Sequence, residues 1–171
     1  MEDLKQKIRS IPDFPSKGIL FRDITTLIKE GGAFGKSVSI ISDRYKDEKI
    51  DAVACIEARG FIFGGAVAYS LKAGVIPIRK AGKLPSDVYS ESYDLEYGQD
   101  TLEVHRDAFK PGQRILLVDD LLATGGTAAA SVKLIKKAGA EPAGTAFLIE
   151  LSDLQGAEKL SGYPVFSILR Y

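Results

Sequence analysis

The sequence predicts an α/β fold: a single domain with a mostly parallel central sheet flanked by helices. Three observations predict it. Short apolar runs of strand length alternate along the chain with stretches of helical periodicity. Alternating strands and helices build parallel sheets through crossover connections. The chain of 171 residues is long enough to bury one real core and shows no repeat, low-complexity tract or linker that would divide it.

Taken in order, Leu4, Ile8 and Ile11 recur at helical spacing, and Pro12 disfavours helix at Ile11, so a short helix opens the chain. Residues 12–26 read as irregular, punctuated by Pro12, Pro15 and Gly18. Phe34, Val38, Ile41 and Tyr45 mark a second amphipathic helix. Residues 52–56 form a short buried strand, 57–60 a turn, 61–72 a helix despite Gly64 and Gly65, and 75–78 another strand. Residues 79–100 are polar, rich in turn formers and carry Tyr89, Tyr93 and Tyr97; so long a structureless stretch is expected to be a functional lid or excursion. A returning strand is expected over 101–105, a strand over 115–119 and a helix over 127–138 closed by Gly139. Strands over 143–149 and 165–169, with a short helix near 155–160, complete the pattern.

Composition narrows the function classes. The formal net charge is +0 and the pI about 6.6, which gives no electrostatic reason to expect a nucleic-acid or membrane surface. The one cysteine, Cys55, excludes an internal disulfide and sits in an apolar run, so it is expected in the core. The first ten residues are charged and do not resemble a signal peptide, and no apolar run approaches the ~20 residues that span a bilayer. These features lead us to expect a cytoplasmic protein.

The segment Val118-Asp119-Asp120-Leu121-Leu122-Ala123-Thr124-Gly125-Gly126-Thr127 carries the most chemistry. An apolar strand runs into two carboxylates, then into a loop with two glycines and two threonines, then into a helix. Glycines let backbone approach an anion, and the first N–H groups of a helix lack partners of their own. The backbone N–H groups of Ala123, Thr124, Gly125, Gly126 and Thr127, with the two threonine hydroxyls, can enclose a terminal phosphate. Carboxylates repel phosphate, so Asp119 and Asp120 must serve another part of the ligand. Ribose hydroxyls and a developing positive charge on sugar carbon are natural candidates. Adjacent strand residues point to opposite faces, so the two acids are expected to have unequal roles.

Two further strand ends carry charge. After the strand at 52–56, Glu57-Ala58-Arg59-Gly60 offers a guanidinium that can fork onto a diphosphate, or else a surface salt bridge through Glu57. After the strand ending at Ile78, Arg79, Lys80 and Lys83 suit a polyanion, or else form a solvated face. Other motifs fail. His105-Arg106-Asp107 does not continue as a kinase loop, no P-loop or dinucleotide-binding glycine turn is present, and one His with one Cys gives little support to a zinc site or a Ser/His triad.

The 118–127 segment resembles the phosphoribosyl-diphosphate (PRPP) motif of the type I phosphoribosyltransferases. Asp13-Phe14-Pro15, the run 18–25, the run 57–64, Ile78 to Pro85 and Leu95-Glu96-Tyr97-Gly98 resemble the adenine-using branch of that family. The resemblance implies a transfer of the phosphoribosyl group of PRPP to adenine, giving AMP and diphosphate through an oxocarbenium-like transition state. It implies a base-binding hood over residues 1–30, with Leu20, Phe21 and Arg22 at the adenine, and a lid over 84–103 in which Glu96 handles a proton and Tyr97 covers the site. Asp119, Asp120 and Arg59 join Glu96 as catalytic residues. Arg59, Arg79, Lys80 and Lys83 meet the diphosphate, and Mg²⁺ is bound through PRPP rather than by protein ligands. Glu103, in an alternating strand, is expected to be structural. A homodimer is implied, with Arg79 acting across its interface. Two other readings stand beside this one: an enzyme for another purine base, and a PRPP-sensing regulatory protein of the same fold.

Overall fold

A computed structural model describes residues 1–94 and 98–171. Seven strands form one sheet in the order β5-β6-β4-β3-β7-β8-β9, where β3 is Ala52–Ile56, β4 Gly74–Lys80, β5 Val88–Asp94, β6 Gln99–His105, β7 Arg114–Leu122, β8 Glu141–Glu150 and β9 Val165–Arg170. The pairs β3/β4, β3/β7, β7/β8 and β8/β9 are parallel; β4/β6 and β5/β6 are antiparallel. The expected mostly parallel sheet flanked by helices is therefore present.

The sheet is apolar on both faces because each face is covered. On one side Ala54, Ile56, Ile115 and Leu117 pack with Val132 and Ile135 of helix α5 (Gly126–Lys137). On the other, Val53, Leu116 and Val118 pack with Ile41 of α3 (Gly31–Tyr45) and with Phe63 and Val67 of α4 (Gly60–Leu71). Full burial of a side chain such as Phe63 contributes roughly 1.5–3 kcal/mol. Helix α5 ends as its sequence suggests. Gly139 is left-handed (φ 83°), its N–H donates to the Lys136 carbonyl, and the Ala140 N–H donates to that of Ile135. Cys55 is buried, and burial pushes its thiol up to about 12.

The structure corrects four expectations. The opening helix α1 is only Glu2–Lys5, and Ile11 lies in β1 (Arg9–Pro12). Pro12 favours extended backbone before it, and β1 finds an antiparallel partner in β2 (Leu20–Asp23), with Ile11 opposite Phe21. Residues 12–26 are therefore not wholly irregular; they hold β2 and the start of α2 (Thr25–Ile28). The described part of residues 79–100 is not structureless, because β5 and β6 pair over seven positions, from Val88 opposite His105 to Asp94 opposite Gln99. Sheet hydrogen bonds use backbone, so a polar hairpin can form when alternate residues such as Tyr89 and Tyr93 find a core to pack on. Finally, β7 continues past the acid pair to Leu122, where it remains paired with β8 at Leu121–Ile149 and Leu122–Glu150.

Strand order places the chemistry. From β3 the chain steps outward to β4, then returns to β3's other side with β7 and continues away through β8 and β9. The direction of winding reverses between β3 and β7. A crevice opens there beyond the strands' carboxyl ends.

Candidate active site

A cavity of about 450 Å³ occupies that crevice. Its wall takes Glu57, Ala58 and Arg59 from beyond β3, Lys80 from the end of β4, Tyr93 and Asp100 from the hairpin, and residues 119–128 from the β7–α5 connection. The three strand-end clusters of the sequence thus meet at one end of the sheet.

The acid pair sits where β7 changes phase. Leu116, Val118 and Leu121 share one face, whereas Ile115, Leu117 and Leu122 share the other. Strict alternation would keep odd and even positions apart. The shift falls at Asp119 and Asp120, so both acids border the same cavity. Asp120 is buried and forms an ion pair with Arg59, whose Nε lies 2.9 Å from its Oδ2. Asp119 is half-buried and its Oδ1 accepts the Asp120 backbone N–H at 2.8 Å. Gly60 leaves room for it: a Cβ there would meet Asp119 Oδ1 at 2.6 Å. Burial and the neighbouring Asp120 charge push Asp119 well above the ordinary carboxylate range. Burial also raises Asp120, and Arg59 opposes that rise without cancelling it.

The loop after the acids is held by two glycines. Gly125 is left-handed (φ 77°) and is the N-cap of α5, whose N-terminus receives no side-chain cap. A Cβ on Gly125 would collide with the Gly156 carbonyl, and a Cβ on Gly156 with the Ala123 carbonyl. Backbone therefore packs on backbone, and Ala123, Thr124, Gly125, Gly126 and Thr127 line the cavity together. Without acidic side chains in its first turn, the helix end favours an anion.

The cations are arranged differently from one another. Lys80 lines the cavity, with Nζ 2.9 Å from Asp100 Oδ2. Arg79 Nε and Lys83 Nζ each lie 2.8 Å from Glu57, outside the cavity wall. Glu57 is only 6% exposed; burial alone would raise it, but Lys83 and Arg79 outweigh that and hold its carboxyl below the usual range. The other alternative for Glu57, a salt bridge, is present, with a shielded carboxylate and two partly exposed cations.

Leu20, Phe21 and Arg22 lie on β2, beside the cavity rather than in its wall. The Arg59 guanidinium joins the two, 5.4 Å from the centre of the Phe21 ring. Leu20, Ile19 and Phe14 expose an apolar surface there. The Arg22 side chain turns away, to Ser10 Oγ at 2.6 Å and over the Tyr171 ring at 3.9 Å. Glu96 and Tyr97, with Leu95, lie outside the described residues. Glu103 accepts from the Gly82 N–H at 2.9 Å and from Ser90 Oγ at 3.3 Å, which ties the β4–β5 connection to the hairpin.

Three residues of the site carry no strong sequence signal. Tyr93 and Asp100 sit in a polar stretch and reach the cavity only through hairpin pairing. Gly156 lies thirty-one positions from Gly125 and meets it only in the fold.

This arrangement, an acid pair on a strand end followed by an anion-binding loop at the switch point, belongs to a class of proteins known from comparison. The phosphoribosyl transferase domain family matches residues 28–169. An adenine phosphoribosyltransferase of Clostridium perfringens is 58% identical over 168 residues, covering 98% of each chain. The crystal structure of adenine phosphoribosyltransferase from Thermoanaerobacter pseudethanolicus superposes with a TM-score of 0.97 at 48% identity, covering 99% of each chain. That of the Saccharomyces cerevisiae enzyme, complexed with an imino-altritol bisphosphate and adenine, gives 0.92 at 37% identity and covers 98% of this chain and 97% of its own. The chain belongs to the phosphoribosyltransferases, in the adenine phosphoribosyltransferase family.

Gly125→Ala and Gly156→Ala are each expected to lower the unfolding free energy by about 1–3 kcal/mol in urea titrations. The double variant should cost less than the sum, since both disrupt one contact. Wild-type stability in either single variant would contradict the backbone packing described.

Proposed function

We propose that the protein transfers the 5-phosphoribosyl group of PRPP to adenine, forming AMP and diphosphate. The observation that carries the reading is the acid pair and the anion-binding loop in one cavity. Few ligands ask for carboxylates and a phosphate grip a few residues apart; a phosphorylated sugar does. The 5′-phosphate lies on the N–H groups of residues 123–127. The ribose hydroxyls face Asp119 and Asp120. Adenine lies toward β2, where backbone at Leu20 and Arg22 offers a donor and acceptor edge and Phe21 gives an apolar wall.

A ring nitrogen of adenine bonds to C1 of the ribose as the C1–O bond to diphosphate breaks, and the ring N–H proton passes to the Glu96 carboxylate. Positive charge develops on the sugar during this exchange. Carboxylates raised by burial, and at Asp119 also by the Asp120 charge, gain more from a neighbouring cation than solvated ones do, so they stabilise the transition state more than the neutral sugar. Arg59 and Lys80 receive charge on the departing diphosphate, backed by Arg79 and Lys83. Magnesium fits as an ion held through PRPP: Mg²⁺ keeps several waters and takes its other oxygens from substrate phosphates, and Asp119, which has no ion-pair partner among the described residues, would accept from those waters at the cavity wall. When bound it neutralises charge on the leaving group.

We also infer a homodimer. Ile62 and Tyr69 stand seven residues apart on one face of α4 and are 41% and 89% exposed, beside exposed Val75 and Pro77 on β4. Among the described residues the Gly74–Ile78 stretch of β4 pairs only with β3, so this apolar surface borders an open sheet edge. Sedimentation should give twice the chain mass, and Tyr69→Glu should shift the population toward monomer. A monomeric wild type would contradict the inference.

Product formation from PRPP, Mg²⁺ and each of adenine, hypoxanthine, guanine and xanthine tests the reaction. Turnover is expected with adenine alone. Asp119→Asn together with Asp120→Asn should reduce kcat by about a hundredfold or more with little loss of fold stability. Turnover with another base, or near-normal activity in the double variant, would overturn the respective assignment.

A further inference from the structure

Each cation in or beside the cavity already has a carboxylate partner: Arg59 has Asp120, Arg79 and Lys83 share Glu57, and Lys80 has Asp100. Asp100 differs from the other carboxylates. It comes from β6 rather than from β3 or β7, lines the cavity wall as Glu57 and Asp120 do, and is held from more than one direction. Its Oδ1 accepts the Thr101 backbone N–H at 2.8 Å, and its Oδ2 accepts the Tyr93 hydroxyl at 3.3 Å. Tyr93 in turn packs over Gly126 at the start of α5, where a Cβ would meet its ring at 3.2 Å. The carboxylate is therefore fixed in place. Its partner is not: the Lys80 side chain is 55% exposed, against 23% for Asp100. A diphosphate arriving at this wall would draw Lys80 to itself and leave a fixed negative charge beside a polyanion.

We propose that Asp100 is a resident counter-anion that competes with diphosphate for Lys80 and so holds down the site's affinity for that product. The proposal rests on the reading of this cavity as a diphosphate site. It gives Asp100 a role through Lys80 rather than on the reacting atoms, which makes it a positioning residue. A built-in competitor favours release of the leaving group, and it lies on the hairpin whose position it would report to the cation.

The test is calorimetric titration of the full-length protein with inorganic diphosphate and Mg²⁺, comparing wild type, Asp100→Asn and Asp100→Glu. Asparagine keeps an oxygen for Lys80 and Tyr93 and removes the charge. Asp100→Asn is expected to bind diphosphate about three- to tenfold more tightly, the scale of one screened charge interaction near a surface. Asp100→Glu, which keeps the charge, should stay within about twofold of wild type on the same scale. A gain in affinity cannot arise from misfolding. Equal or weaker binding by Asp100→Asn overturns the proposal alone. Tightening in both variants also overturns it, since the effect would not then follow the charge. A wild type that binds no diphosphate overturns the site assignment and the proposal with it.

Discussion

The structure depends on two adjacent carboxylates held at the end of a central strand. Burial makes both acids hold their protons more tightly, and the Asp120 charge raises Asp119 further. Much of the surrounding architecture exists to tolerate that. Arg59 binds one acid, the Asp120 N–H is turned onto the other, and Gly60 withdraws its side chain to make space. The phase change in β7 brings both acids to one cavity, where regular alternation would separate them.

The same logic extends to the cations. A parallel sheet gathers its strand ends at one edge, and here that edge collects charges of both signs within one small volume. Pairing Arg79 and Lys83 through Glu57 gives them fixed places and offsets their charge. The anion-binding loop is different in kind. It uses backbone N–H groups and a helix end, which carry no net charge and keep their orientation without a partner side chain. The site therefore separates two tasks, a rigid neutral grip on one side and exchangeable ion pairs on the other.

Much of this was legible in the chain. The strand at 52–56 and the order strand, acids, glycine loop, helix need only local patterns, and they stand where periodicity put them. The meeting of 57–60, 80 and 119–127 followed from parallel topology. What was not legible depended on partners distant in sequence. Ile11 looks helical by spacing, yet joins a strand because Phe21 lies opposite. The 79–100 stretch looks unstructured because its residues are polar, whereas the hairpin is held by backbone pairing and by Tyr89 and Tyr93. Asp100 carries no motif at all; only the fold sets it against Lys80. Local order was written locally, and the pairs that complete the site were not.

A crystal structure of the protein with AMP tests the central claim most directly. The phosphate is expected on the backbone N–H groups of residues 123–127, the ribose hydroxyls on Asp119 and Asp120, and the base against β2 near Phe21. A phosphate bound instead at Arg79 and Lys83, or a ribose turned away from the acid pair, would contradict it.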